Sequence, residues 1–302
     1  MSPIADRIAG APISWGVCEV PGWGHQLPPE RVLGEMRELG LAATEFGPDG
    51  FLPAAADARA ALLDSYGLRP VGGFVPVVLH DPDHDPLPEA ERAMDGFGAA
   101  RALPDQPAPT DLPALVLAAA TGLDGYDERP ALDERAWATA LANLRRIAGR
   151  AAERGLLATL HPHVGTVVEG PAEVGRVVDG TDVPLCLDTG HLLIGGTDPV
   201  ELARAAAGRI AHVHLKDVDA ALAARVRSGE LTYTDAVRAG IYRPLGAGDV
   251  DIAGIVRTLE AAGYAGWYVL EQDTVLDAEP PPGGGPRGDV AAGAAFLREL
   301  AG

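Results

Sequence analysis

The sequence predicts an α/β fold: a single-domain (β/α)8 TIM barrel, spanning residues 1–302, with a helical insertion after the seventh strand. Three observations predict it. Short apolar runs alternate strictly with longer helical patterns, and the alternation repeats eight times. No early strand is followed by a glycine-rich GxGxxG turn, which weakens the competing doubly wound sheet.

The elements follow in order. Strands are predicted at Ile8–Trp15, Ala43–Phe46, Pro70–Val78, Ala114–Ala119, Leu156–His161, Leu185–Asp188, Ile210–Leu215 and Trp267–Glu271. Helices are predicted at Pro29–Leu39, Asp57–Tyr66, Pro88–Leu103, Asp133–Arg154, Pro171–Val178, Pro199–Ala206, Asp251–Ala262 and Asp289–Ala301. Several open on Pro or Asp, which suit a helix N-terminus. Gly40, Gly67, Gly155 and Gly263 stand where a left-handed residue ends a helix. Pro104–Thr110 reads as a proline-rich break before the fourth strand, and Glu279–Gly288 as a loop before the last helix. Val218–Gly248 is the insertion; it follows a strand's C-terminal end, where it can cover an active site.

Composition narrows the partners. A formal charge of −19 repels nucleic acid and anionic membranes, so neither is expected as a partner. No uninterrupted apolar stretch reaches the length of a membrane span. Two distant cysteines, Cys18 and Cys186, form no disulfide framework, and the N-terminus lacks a signal-peptide layout; both point to the cytoplasm. A homo-oligomer stays open.

In such a barrel, the polar residues at the C-terminal ends of the strands converge on one mouth. The later strands end in His161-Pro162-His163, Asp188-Thr189-Gly190-His191, His212-Val213-His214-Leu215-Lys216-Asp217 and Glu271-Gln272-Asp273. His161 to Asp188 is 27 residues and Asp188 to His214 is 26, one βα unit each; the 57 to Glu271 contain the insertion. Four strands thus deliver His161, Asp188, His214 and Glu271. Imidazole and carboxylate together suit one divalent cation, with Mn²⁺ first and Co²⁺, Zn²⁺, Fe²⁺ or Mg²⁺ as alternatives.

These segments, with Leu245-Gly246-Ala247-Gly248-Asp249-Val250-Asp251 and Gly263-Tyr264-Ala265-Gly266-Trp267, resemble the sugar phosphate isomerase/epimerase superfamily, also called xylose isomerase-like or AP endonuclease family 2. Ala11-Pro12-Ile13-Ser14-Trp15-Gly16, Thr44-Glu45-Phe46-Gly47 and His161-Pro162-His163-Val164-Gly165-Thr166 resemble its inosose dehydratase branch. The resemblance implies a Glu/Asp/His/Glu metal site. Asp188, His214 and Glu271 match its last three ligands. His161 stands where many relatives have Glu, so the first ligand is either this imidazole, Glu169 or water. Related dehydratases carry a proton-abstracting His two residues after the first ligand, a position matched by His163. On a strand, residues two apart share a face, so His161 and His163 can both point into the mouth.

The remaining assignments are expectations from position. Glu45 ends the second strand and reads as a second acid/base. Lys216 reads as a group that orients substrate or protonates a leaving group; a structural Lys216–Asp217 pair is the alternative. Trp15, His191 and Asp217 read as substrate-binding, Trp15 as one wall for a cyclic polyol. The chemistry expected is removal of the proton α to a ketone by His163, with a pKa near 7, while the cation stabilises the enolate. Expulsion of a β-hydroxyl makes the protein a dehydratase of a keto-inositol or similar small polyhydroxylated ketone. Return of the proton makes it a ketose isomerase or epimerase.

Overall fold

The computed structural model describes residues 3–98 and 112–301. Eight parallel strands close into a barrel: β1 (Ile8–Gly10), β2 (Ala43–Glu45), β3 (Arg69–Val77), β4 (Ala114–Ala119), β5 (Leu157–Leu160), β6 (Leu185–Asp188), β7 (Ile210–Leu215) and, after a short antiparallel pair β8 (Asp217–Val218) and β9 (Tyr242–Arg243), β10 (Tyr268–Leu270). Closure comes from β1 pairing with both β2 and β10, with Ile8 beside Tyr268 and Ala9 beside Ala43. The predicted (β/α)8 barrel is borne out.

Its helices are α1 (Pro29–Glu38), α2 (Ala56–Ser65), α3 (Leu87–Gly98), α4 (Glu134–Glu153), α5 (Pro171–Gly180), α6 (Thr189–Gly195), α7 (Pro199–Ala205), α8 (Ala220–Arg227), α9 (Tyr233–Arg238), α10 (Ile252–Ala261) and α11 (Arg287–Leu300). The long α4 shows the rule. Asp133 caps it by accepting from the Ala136 N–H at 2.8 Å, and Trp137, Ala140, Leu144, Ile147 and Ala151 make one buried stripe at helical spacing. Burying Leu144 or Ile147 there contributes about 1.5–3 kcal/mol. Inside the barrel the small Ala9 and Ala43 leave room for Trp267 at the closed end.

Two boundaries differ in a way that matters. The first strand stops at Gly10 instead of Trp15: Pro12 lacks an N–H for a ladder and opens a 3₁₀ turn, Pro12–Trp15, ended by left-handed Gly16 (φ 80°). The fifth strand stops at Leu160, so the residues from His161 onward belong to a loop. The expected break at Pro104–Thr110 and the end of the predicted helix at Leu103 lie outside the described residues.

The insertion carries α8 and α9 as expected and is tied down by one buried side chain. Asp217 accepts four backbone N–H bonds, from Val218 and Val250 at 3.0 Å on Oδ1 and from Gly246 (2.8 Å) and Gly248 (3.0 Å) on Oδ2. A Cβ at Gly248 would stand 2.3 Å from Asp217 Oδ1, which is why this loop needs glycine. Charge-assisted bonds are each worth about 1.5–3 kcal/mol. Asp217→Ala therefore lowers stability by about 3 kcal/mol or more, read in a thermal melt, and makes the 244–250 loop sensitive to proteolysis.

Candidate metal centre and active site

Asp188 ends β6 and at once caps α6: its Oδ1 accepts from the N–H of Gly190 (2.9 Å) and of His191 (2.8 Å). This leaves Oδ2 to face the barrel mouth. On β7, alternation turns His212 and His214 inward, while Val213 and Leu215 pack outward against helices. Just past β10, Glu271 is held by its N–H to the Leu215 carbonyl (3.2 Å). The three meet: Asp188, His214 and Glu271 each offer a ligand atom, all within 4.8 Å of one another and all buried. His214 Nδ1 lies 3.0 Å from Glu271 Oε2 and 3.5 Å from Asp188 Oδ2, yet makes no hydrogen bond of acceptable geometry. A buried imidazole nitrogen without a bond, facing two carboxylates, fits a divalent cation.

The other nitrogen of His214 explains Glu45. Glu45 Oε1 accepts from His214 Nε2 (2.9 Å) and His212 Nε2 (2.7 Å). Burial alone would raise the Glu45 carboxyl, but the His214 charge and both imidazole bonds hold it far below the usual range. Glu45 therefore orients His214 from behind and keeps Nδ1 free for the centre. Beside the second acid/base expected of Glu45, the structure gives its Oε1 this positioning task, committed to the two rings. Glu45→Gln weakens metal binding about 10–100-fold, measurable by metal titration.

His161 N–H bonds the Leu117 carbonyl (2.8 Å), and its Nε2 lies 3.2 Å from Asp188 Oδ2. Its Nδ1 is buried without a partner. The alternative Glu169 is turned away: it accepts from the Gly165 N–H (2.7 Å) and pairs with Arg129 (3.5 Å). His163 reaches the mouth through the loop, not through a strand pleat. Its N–H bonds the Val168 carbonyl (3.0 Å), and the ring stands edge-on to His161 with centroids 5.3 Å apart. Gly165 (φ 75°) makes the turn, and a Cβ there would meet the Tyr126 carbonyl at 2.3 Å. Gly165→Ala thus costs about 2–4 kcal/mol, seen as a lowered Tm.

His163 Nδ1 donates to the Val164 carbonyl (2.6 Å), which leaves the Nε2 lone pair available. Burial first, then His161 and Lys216, push its pKa well below the ordinary value. The lowered pKa favours the neutral ring and makes it a weaker base than the sequence-based expectation of a pKa near 7. His191 stacks on it, with centroids 3.6 Å apart.

Lys216 Nζ lies 2.6 Å from Asp273, 2.9 Å from His191 and 3.0 Å from Glu271. Asp273 also accepts from Tyr233 (2.5 Å), whose hydroxyl meets that of Tyr242 (2.8 Å). The insertion thus supplies two tyrosines to a buried network. A cleft of about 700 Å³ opens above, lined among others by Glu45, Phe74, Tyr126, His161, His163, Lys216, Glu271 and Asp273.

Three expectations need correction. Trp15 is fully buried and absent from the cleft wall; its Nε1 donates to Glu35 (2.8 Å), because the 3₁₀ turn swings it toward α1. Asp217 binds backbone, not substrate, and does not pair with Lys216. His191 is absent from the cleft wall and braces His163 and Lys216 from beneath. Asp273, His212, Tyr126, Tyr233 and Tyr242 were not assigned from sequence. For His212 the signal was available, since it lies two residues from His214 on one strand; for the tyrosines there was none.

A sequence model described as xylose isomerase-like TIM barrel matches residues 33–300. The chain belongs to the xylose isomerase-like TIM barrel family. Within this family it is similar to the rhizopine catabolism protein MocC of Rhizobium meliloti, 37% identical over 277 residues that cover 88% of this chain and 81% of that protein. It is also similar to an inosose dehydratase of Geobacillus kaustophilus, 32% identical over 278 residues, covering 88% and 87%. Among solved structures, the IOLI protein with a bound zinc atom aligns with TM-score 0.67 at 13% identity, covering 98% of both chains. A D-allulose 3-epimerase from Methylomonas sp. in complex with D-allulose aligns at 0.66 and 17%, covering 97% and 96%. At those identities the structures share the xylose isomerase-like fold alone. No helix among the described residues is long and apolar enough to cross a membrane.

Proposed function

We propose that this protein is a divalent-metal-dependent lyase that dehydrates a keto-inositol or a similar cyclic keto-polyol. The observation that carries the reading is His163: an imidazole with a free Nε2 in the cleft wall, beside a cluster fit for a cation. Similarity to inosose dehydratases over most of both chains supports the substrate class.

Asp188, His214 and Glu271 would hold the metal, Mn²⁺ first, with His161 beside them as the fourth ligand. When bound, the metal would supply the Lewis acidity that stabilises enolate charge. His163 Nε2 takes the α proton, and because its pKa is held low the resting ring has no proton to shed first. Being a weak base, it depends on the enolate being stabilised as it forms. Lys216 keeps a positive charge at the carboxylate cluster and orients a substrate oxygen. Phe74, whose ring centroid is 5.3 Å from that of His163, walls one side of the polyol.

The alternative is a ketose isomerase or epimerase, which needs a second carboxylate base on the opposite substrate face. In the proposed metal site only Glu271 is a glutamate, since Glu45 is bonded to His212 and His214 and Glu169 to Gly165, so a two-glutamate relay is incomplete and elimination is favoured. The test is NMR of metal-loaded protein with inosose in D2O. Elimination gives a diketone; deuterium uptake without elimination would support the epimerase instead.

A further inference from the structure

Elimination of a β-hydroxyl needs an acid as well as a base, because hydroxide is a poor leaving group. We infer that Tyr126 is this acid and that Glu19 recharges it. The inference rests on the dehydratase reading above and adds a catalytic pair to it.

Tyr126 lies in the loop after β4 and lines the cleft, its ring centroid 4.7 Å from that of His163. Its backbone rests against Gly165, in the loop that also carries His163, so base and phenol are mounted on one support. The hydroxyl donates to Glu19 Oε1, which reaches across the mouth from the loop after β1. Glu19 is exposed to solvent, while Tyr126 is half-buried. Burial and then the Glu19 charge hold the phenol well above its usual pKa, so it enters each turnover protonated.

Other donors in the cleft wall are placed for other tasks. Lys216 donates to Asp273, meets His191 and faces Glu271, so its charge stays beside the carboxylate cluster. The Cys18 thiol also donates to Glu19, and burial holds it far above its usual pKa. Trp23 donates to the Thr274 carbonyl (2.9 Å), and Arg59 to the carbonyls of Pro53, Gly96 and Ala54. Arg92 is exposed on α3 and, as a guanidinium, does not surrender a proton.

The step balances as follows. His163 Nε2 takes the α proton, and the C–H electron pair moves toward the carbonyl as an enolate. The enolate then collapses: its pair forms the new carbon–carbon double bond to the β carbon as the β C–O bond breaks, with that bond's pair going to oxygen, which takes the Tyr126 proton and departs as water. Glu19 passes a solvent proton to the phenolate, and His163 returns its proton to solvent. The enol product tautomerises to the diketone.

The test follows α-deuterium exchange and diketone formation separately, by NMR in D2O, for the Mn²⁺-loaded protein and its Tyr126→Phe variant with inosose. Phenylalanine keeps the ring against His163 and removes only the proton. The variant is expected to lose elimination about 10²–10⁴-fold and to keep exchange within about threefold. A β-fluoro analogue, whose leaving group needs no acid, should restore elimination in Tyr126→Phe; a merely structural defect would not be rescued. Elimination at the wild-type rate in the variant, loss of exchange together with elimination, or no rescue by fluoride each overturns the assignment. If wild-type protein neither exchanges nor eliminates, the dehydratase reading itself fails; if it eliminates and the variant does too, only Tyr126 fails.

Discussion

His163→Gln in the metal-loaded protein should lower turnover of inosose about 10²–10⁴-fold while leaving bound metal unchanged. The size follows from what one positioned base contributes. The unchanged metal content follows from geometry: among the described residues, His163 is absent from every set of side chains that meet closely enough to bind an ion, whereas His161 appears in two. Glutamine keeps most of the volume between His191 and Tyr126 but has no basic nitrogen to offer. The same variant should also stop α-deuterium exchange, which Tyr126→Phe does not. Together the two variants separate proton removal from hydroxyl loss. Full turnover in His163→Gln would remove this residue as the base.

Asp188→Asn should weaken metal binding by more than about 100-fold and leave the fold of the metal-free protein nearly untouched. Asp188 does two things with two oxygens. Oδ1 caps α6 through Gly190 and His191, and asparagine caps as well as aspartate. Oδ2 faces His161, His214 and Lys216, where the charge matters. Metal content by mass spectrometry and a thermal melt of the apoprotein check the two halves. A collapse of the apoprotein's Tm would mean that the carboxylate is needed for folding rather than for the ion.

The barrel was legible because its signals are local. Each strand is a short apolar run, and each helix such as α4 shows its stripe. Asp188, His214 and Glu271 were legible because strand ends in a closed parallel barrel share one mouth. What was not legible depends on where loops go after the strands stop. Sequence position puts Trp15 in the cleft wall, but the turn begun by Pro12 sends it to Glu35. Sequence position makes Asp217 a substrate ligand, but the glycines of the 244–250 loop bring their N–H groups to it across the insertion. Tyr126 reaches the cleft, and Tyr233 and Tyr242 reach the buried network around Asp273, from loop and insertion positions that no periodicity marks. Glu45 was placed correctly at a strand end, yet its partners, His212 and His214, lie 167 and 169 residues away in sequence.

The whole account stands on one ion sitting where three side chains converge. Anomalous diffraction from crystals soaked in Mn²⁺ locates it directly. The expected result is a single strong peak within coordinating reach of Asp188 Oδ2, His214 Nδ1 and Glu271 Oε2. A peak elsewhere on the chain, or none at saturating Mn²⁺, would contradict it.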